Sequence, residues 1–131
     1  MPVLSADVPD ADALNQYAVI LADIGTITAA ADKDCGCVPF TGTIVDVRGR
    51  LGTAGTTTAT VYDVHLNGTT IFTTQGNRPT TAIAGAVTST TAPDVTAVNR
   101  GDRLSLDCDT APTSGANASI AVTIRKRALV L

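Results

Sequence analysis

Residues 61–72 read VYDVHLNGTTIF, an alternating run that stops at Asn67-Gly68 and resumes on its far side. Alternation with a period of two puts one face of a strand in the core and the other in solvent. Asn-Gly suits both central positions of a type I′ turn, whose positive φ angles match the twist of the flanking strands. A hairpin is therefore expected. Tyr62, Val64 and Leu66 face inward, Val61, Asp63 and His65 face outward, and residues 69–74 form the returning strand.

The same period spreads outward from this hairpin. Residues 103–109 place Leu104, Leu106 and Cys108 inward against Ser105, Asp107 and Asp109, and residues 118–125 place Ile120, Val122 and Ile124 inward. These read as two antiparallel strands joined by the polar loop 110–117. Residues 38–51, VPFTGTIVDVRGRL, form a long half-buried strand. Thr43, Val45, Val47 and Leu51 share one face, and Ile44, Asp46, Arg48 and Arg50 share the other. Residues 18–28, AVILADIGTIT, fit a strand that starts buried and ends half exposed, followed by a turn or loop over 29–36. Residues 75–93 cross the surface with one short strand near 82–87. Residues 95–98 then lead into a turn at Asn99-Arg100-Gly101-Asp102.

Pro2 and Pro9 restrict the residues before them to extended conformations, so residues 1–17 read as an arm and 18–131 as the folded domain. Within the arm, Asp12 is placed to cap a short helical turn over 13–17. Seven or eight short strands without crossover helices give an all-β, two-sheet antiparallel sandwich with an extended N-terminal arm.

Composition agrees. The 131 residues contain no Glu, two Lys and one Met, which removes most strong helix formers. With 44% apolar and 16% charged residues the chain can build a core. A net charge of −3 argues against a surface that tracks phosphates, and 3% aromatics without Trp argue against stacking on bases or sugars, so no nucleic-acid partner is expected. No basic leader and no apolar run of membrane-spanning length stand in the sequence, so a soluble, unexported protein with no membrane partner is expected. Three cysteines, an odd count, point to a reducing compartment at synthesis.

Residues capable of chemistry are few. His65, the one histidine, is read as an exposed strand residue without a nucleophile beside it. Cys35-Gly36-Cys37 lacks the two-residue spacer of zinc knuckles and a second pair, so Cys35, Cys37 and Cys108 are read as small apolar residues in or near the core, with a Cys108 disulfide as the oxidised alternative. Asp32 and Asp34, like Asp107 and Asp109, are read as a solvated edge. Arg100-Gly101-Asp102 matches an adhesion tripeptide but is read as the turn before a strand, and Asn117-Ala118-Ser119 matches a glycan acceptor without a secretion signal to go with it. No catalytic residue, metal or cofactor is expected.

PFTGTI at 39–44, DVHLNGTTI at 63–71 and GDRLSLDCD at 101–109 are similar to small jelly-roll proteins of tailed bacteriophages that decorate capsids or serve in head and tail-fibre modules. The resemblance spans about residues 18–125. Cys108, where an apolar residue such as Val is usual, departs from the pattern, as do Cys35 and Cys37. It implies a jelly-roll sandwich that is no enzyme, made in the host cytoplasm and seated on the outside of the virion shell. There it would be a homotrimer that stabilises the expanded capsid by holding the major capsid protein. The arm, with Met1, Pro2, Val3 and Leu4, and the exposed strand charges Arg48 and Arg50 are the candidate partner contacts. A tail-fibre or receptor-binding module is the alternative. A small hydrolase built on His65 with Asp63 and a surface adhesin are further competitors.

Overall fold

The computed structural model describes residues 15–88 and 92–127. Among the described residues nine strands form: β1 (Gln16–Thr26), β2 (Ala30–Cys37), β3 (Gly42–Thr53), β4 (Thr60–Leu66), β5 (Thr69–Thr70), β6 (Thr80–Thr81), β7 (Ala97–Val98), β8 (Arg103–Thr110) and β9 (Ala116–Lys126). One sheet has the order β1-β9-β3-β7 and the other β2-β8-β4-β5, with β6 also against β4. All the pairings are antiparallel. The chain changes sheet at every connection except β4 to β5 and β5 to β6. That alternation of strands between two facing sheets is a jelly roll.

The interior follows from the period of two. Leu21, Val47, Leu51, Ile120, Val122 and Ile124 from one sheet meet Tyr62, Val64, Leu104, Leu106 and Cys108 from the other, all buried. Each large side chain so placed contributes about 1.5–3 kcal/mol relative to exposure. The hairpin forms as expected, with φ of 51° at Asn67 and 87° at Gly68. Its returning strand is two residues long, because Ile71 and Phe72 turn into the core instead of continuing outward. The Ile71 carbonyl is held there by the N–H groups of Asp94 and Val95.

Several expectations are corrected. Residues 29–36 are not a loop: most of them lie in β2, an edge strand whose polar sequence carries no alternating apolar signal. In β3 the register slips between Ile44 and Asp46. The extra residue of a bulge shifts the phase, so Ile44 is buried and Val45 only half-buried. β8 and β9 do not pair; residues 110–117 carry the chain across the sandwich, because each strand has its apolar face turned to the other sheet. The short strand expected near 82–87 sits at Thr80–Thr81, with single bridges at Val87 and Thr88 beyond it. β1 begins exposed, not buried, and already includes Gln16 and Tyr17, where a helical turn was expected. Asp12 and the arm from residue 1 to residue 14 lie outside the described residues.

Candidate functional site

The sandwich has two outer faces with opposite chemistry. On the β1-β9-β3 sheet, cross-strand rows place Ile20, Ala121 and Arg48 side by side, then Ala22, Ser119 and Arg50. Ile20 is 56% exposed, Ile24 79% and Val87 62%, so an apolar strip lies open to solvent. Arg48, Gly49, Arg50, Val87, Ser119 and Ala121 line a shallow groove of about 310 Å³ on this face. Arg48 is steadied by Asp46, whose carboxylate accepts its Nε–H at 2.8 Å. The two arginines singled out from sequence therefore do stand together on an exposed face. The apolar residues beside them were missed, because the run AVILADI reads as a core strand. Its alternation of Ile20, Ala22 and Ile24 with Leu21 and Asp23 was the signal that one half of it faces out.

The β2-β8-β4 sheet is polar outside. His65 Nε2 lies 3.3 Å from an Asp63 oxygen and 3.3 Å from an Asp107 oxygen. Each carboxylate is fixed by a further bond: Asp63 accepts the Thr70 hydroxyl at 2.7 Å and Asp107 accepts the Asp32 N–H at 2.8 Å. Arg103 reaches Asp32 at 3.1 Å and Arg78 reaches Asp109 at 2.6 Å. His65 is thus half-buried between carboxylates rather than fully exposed, and Ser105, opposite it on β8, points outward yet is covered by its neighbours. The acids read as a solvated edge are cross-strand ties. Asp34 is one too: its carboxylate takes the N–H of Ala22 on β1 and of Cys35 on its own strand, which blunts both sheet edges.

Between the sheets Asp23 accepts the Tyr62 hydroxyl at 2.9 Å and pairs with Lys33 at 3.5 Å. Burial, then the Asp23 carboxylate, holds the Tyr62 phenol far above its ordinary range, so it remains a donor. Burial followed by the charge of Asp23 pushes the Cys108 thiol up to about 11. Only Cys108 fits the reading of the cysteines as core residues. Cys35 and Cys37 are exposed, and all three thiols are free.

The remaining motifs are absorbed by the fold. Asp102 accepts the Asn99 N–H and the Asn67 side-chain amide, so the Arg100-Gly101-Asp102 turn closes on itself. Asn117 accepts the Gly25 N–H at 2.7 Å. Among the described residues no group of three or more His, Cys or Asp side chains is arranged to hold a metal ion. No described helix is long and apolar enough to cross a membrane. Met1, Pro2, Val3 and Leu4 lie outside the described residues. No protein-family model matches this chain, and no curated protein or solved structure matches it either.

Proposed function

We propose that this chain is a structural virion protein that binds the outside of an expanded bacteriophage shell as a homotrimer and clamps copies of the major capsid protein. The observation that carries this reading is the outer face of the β1-β9-β3 sheet, where Ile20, Ile24 and Val87 stand open beside Arg48 and Arg50. Exposed apolar residues grouped on one face and rimmed by charge are the ordinary signature of a surface that is covered in assembly. Sequence resemblance to phage decoration proteins supplies the partner.

The mechanism is differential binding. A domain that engages the expanded shell and not its precursor stabilises the expanded state by the difference in affinity, and many copies multiply a modest energy. Light scattering of the purified chain, followed by co-sedimentation with expanded shells, tests this. A trimer that pellets with shells until its sites are saturated is the expected outcome. A monomer that stays in the supernatant overturns it, and labelling found at the tail tip instead of the head establishes the fibre alternative.

A further inference from the structure

The exposed cysteines of β2 are used by nothing described so far. Cys35 pairs with Ser105 and Cys37 with Arg103 on the β8 side, while on its other side β2 is the last strand of its sheet, tied to β1 through Asp34 and the Ala22 N–H. Gly36 between them faces the core, where an added Cβ would lie 2.7 Å from Val19 Cγ1. Cys35 and Cys37 therefore share the outer face, two strand positions apart.

That spacing excludes bonding within one chain. Same-face neighbours in a strand stand about 6.6 Å apart, whereas disulfide-linked Cβ atoms lie about 3.8 Å apart. Cys108 is buried on the inner face of β8, behind the sheet, and out of play. Oxidation of Cys35 or Cys37 must look outward. The segment Cys-Gly-Cys reads the same in both directions, so a two-fold axis beside Gly36 sets Cys35 of one copy opposite Cys37 of another, twice. Side chains opposed across such an axis can bring their Cα atoms within the roughly 4.4–6.8 Å that disulfides span.

We propose that Cys35 and Cys37 are a covalent cross-linking site for a second copy of this chain, joined by two symmetric Cys35–Cys37 disulfides across the β2 edge. Because Asp34 already occupies the Cys35 N–H, the link runs through side chains and not through a continuous ladder. The chemistry is thiol–disulfide exchange with a low-molecular-weight disulfide of the glutathione class. The Cys35 thiolate attacks one sulfur of that disulfide, its S–S bond breaks, and one small thiolate leaves. The Cys37 thiolate of the second copy then attacks Cys35, forming the interchain bond and expelling the second small thiolate. Two protein thiols are oxidised, one small disulfide is reduced to two thiols, and those thiols carry away the two protons. The Arg103 guanidinium, held by Asp32 and next to Cys35, supplies positive charge beside the attacking sulfur.

The test is intact-mass spectrometry, without reductant, of the full chain after incubation with oxidised glutathione. A covalent dimer, lighter than two chains by two hydrogens for each disulfide, is expected. Its peptide map should join Cys35 to Cys37, dithiothreitol should release it, and C108S should leave it unchanged. The dimer is expected to be lost in C35S/C37S. A monomer lighter by two hydrogens, a monomer carrying only glutathione, or a dimer dissolved by a chelator and not by dithiothreitol would each overturn the proposal.

Discussion

On the outside of the β2-β8-β4 sheet each of Asp32, Asp63, Asp107 and Asp109 has a partner within the chain, whereas the outside of the β1-β9-β3 sheet leaves Ile20, Ile24 and Val87 more than half exposed. Both faces arise from the same alternation, and both flank the same core. The difference lies in how their surface groups are satisfied. A polar face whose groups bond one another contributes to stability and has little left to offer a partner. An apolar face contributes little to the isolated fold and gains when something covers it. The molecule thus divides its surface into one face whose groups satisfy one another and one that keeps apolar side chains exposed.

The contrast breaks most directly at Asp63. Its carboxylate is almost fully buried and accepts the Thr70 hydroxyl while facing His65. Asp63→Ala strands those groups and should cost about 1–3 kcal/mol, read as a lower urea midpoint at unchanged slope. A midpoint equal to the parent's would mean that the polar face is merely decorative.

Alkaline pH probes the interior both faces share. The Cys108 thiol is raised by burial to about 11 from its ordinary 9.0, and the Tyr62 phenol is raised beyond its ordinary 10.0. Unfolding lets both lose protons more readily. Their contribution is therefore complete below about pH 9 and is lost as pH climbs toward 11. Melting temperature should hold up to pH 9, fall between pH 9 and 11, and fall less in Cys108→Ala. A curve that stays flat to pH 11 would contradict a dry junction between the sheets.

The smallest stability effect sharpens the comparison most. Ile20→Ser removes an exposed apolar group and should move stability by no more than about 0.5 kcal/mol, yet it should weaken the proposed self-association, read by light scattering. If Ile20→Ser unfolds the chain as Asp63→Ala does, the two faces are not different in kind.

Residues 61–72 carried the turn of the hairpin and the strand before it, because Asn67-Gly68 and that strand's alternation are local signals that need no distant partner, whereas the return stops after Thr69–Thr70. The inward phases of β4, β8 and β9 were legible for the same reason, and so was the all-β class. Of the candidate face, Arg48 and Arg50 were readable as exposed charges on a strand. Their neighbours Ile20, Ala121 and Val87 were not, since they come from three other segments and meet only through pairing with β9 and the bridge to Arg50.

What the sequence by itself determined is which residues of β4, β8 and β9 alternate, where the chain must turn, and that the class is all-β. Tertiary structure alone decided that β8 and β9 lie in opposite sheets, that the polar residues of β2 are a strand, and that a bulge at Val45 turns Ile44 inward. It also decided that His65 sits between two carboxylates. The reason is range. Alternation and turn geometry are settled within a few residues, whereas sheet partners, edge positions and ties such as Arg78–Asp109 depend on segments distant in sequence, brought together only when both sheets close over one core.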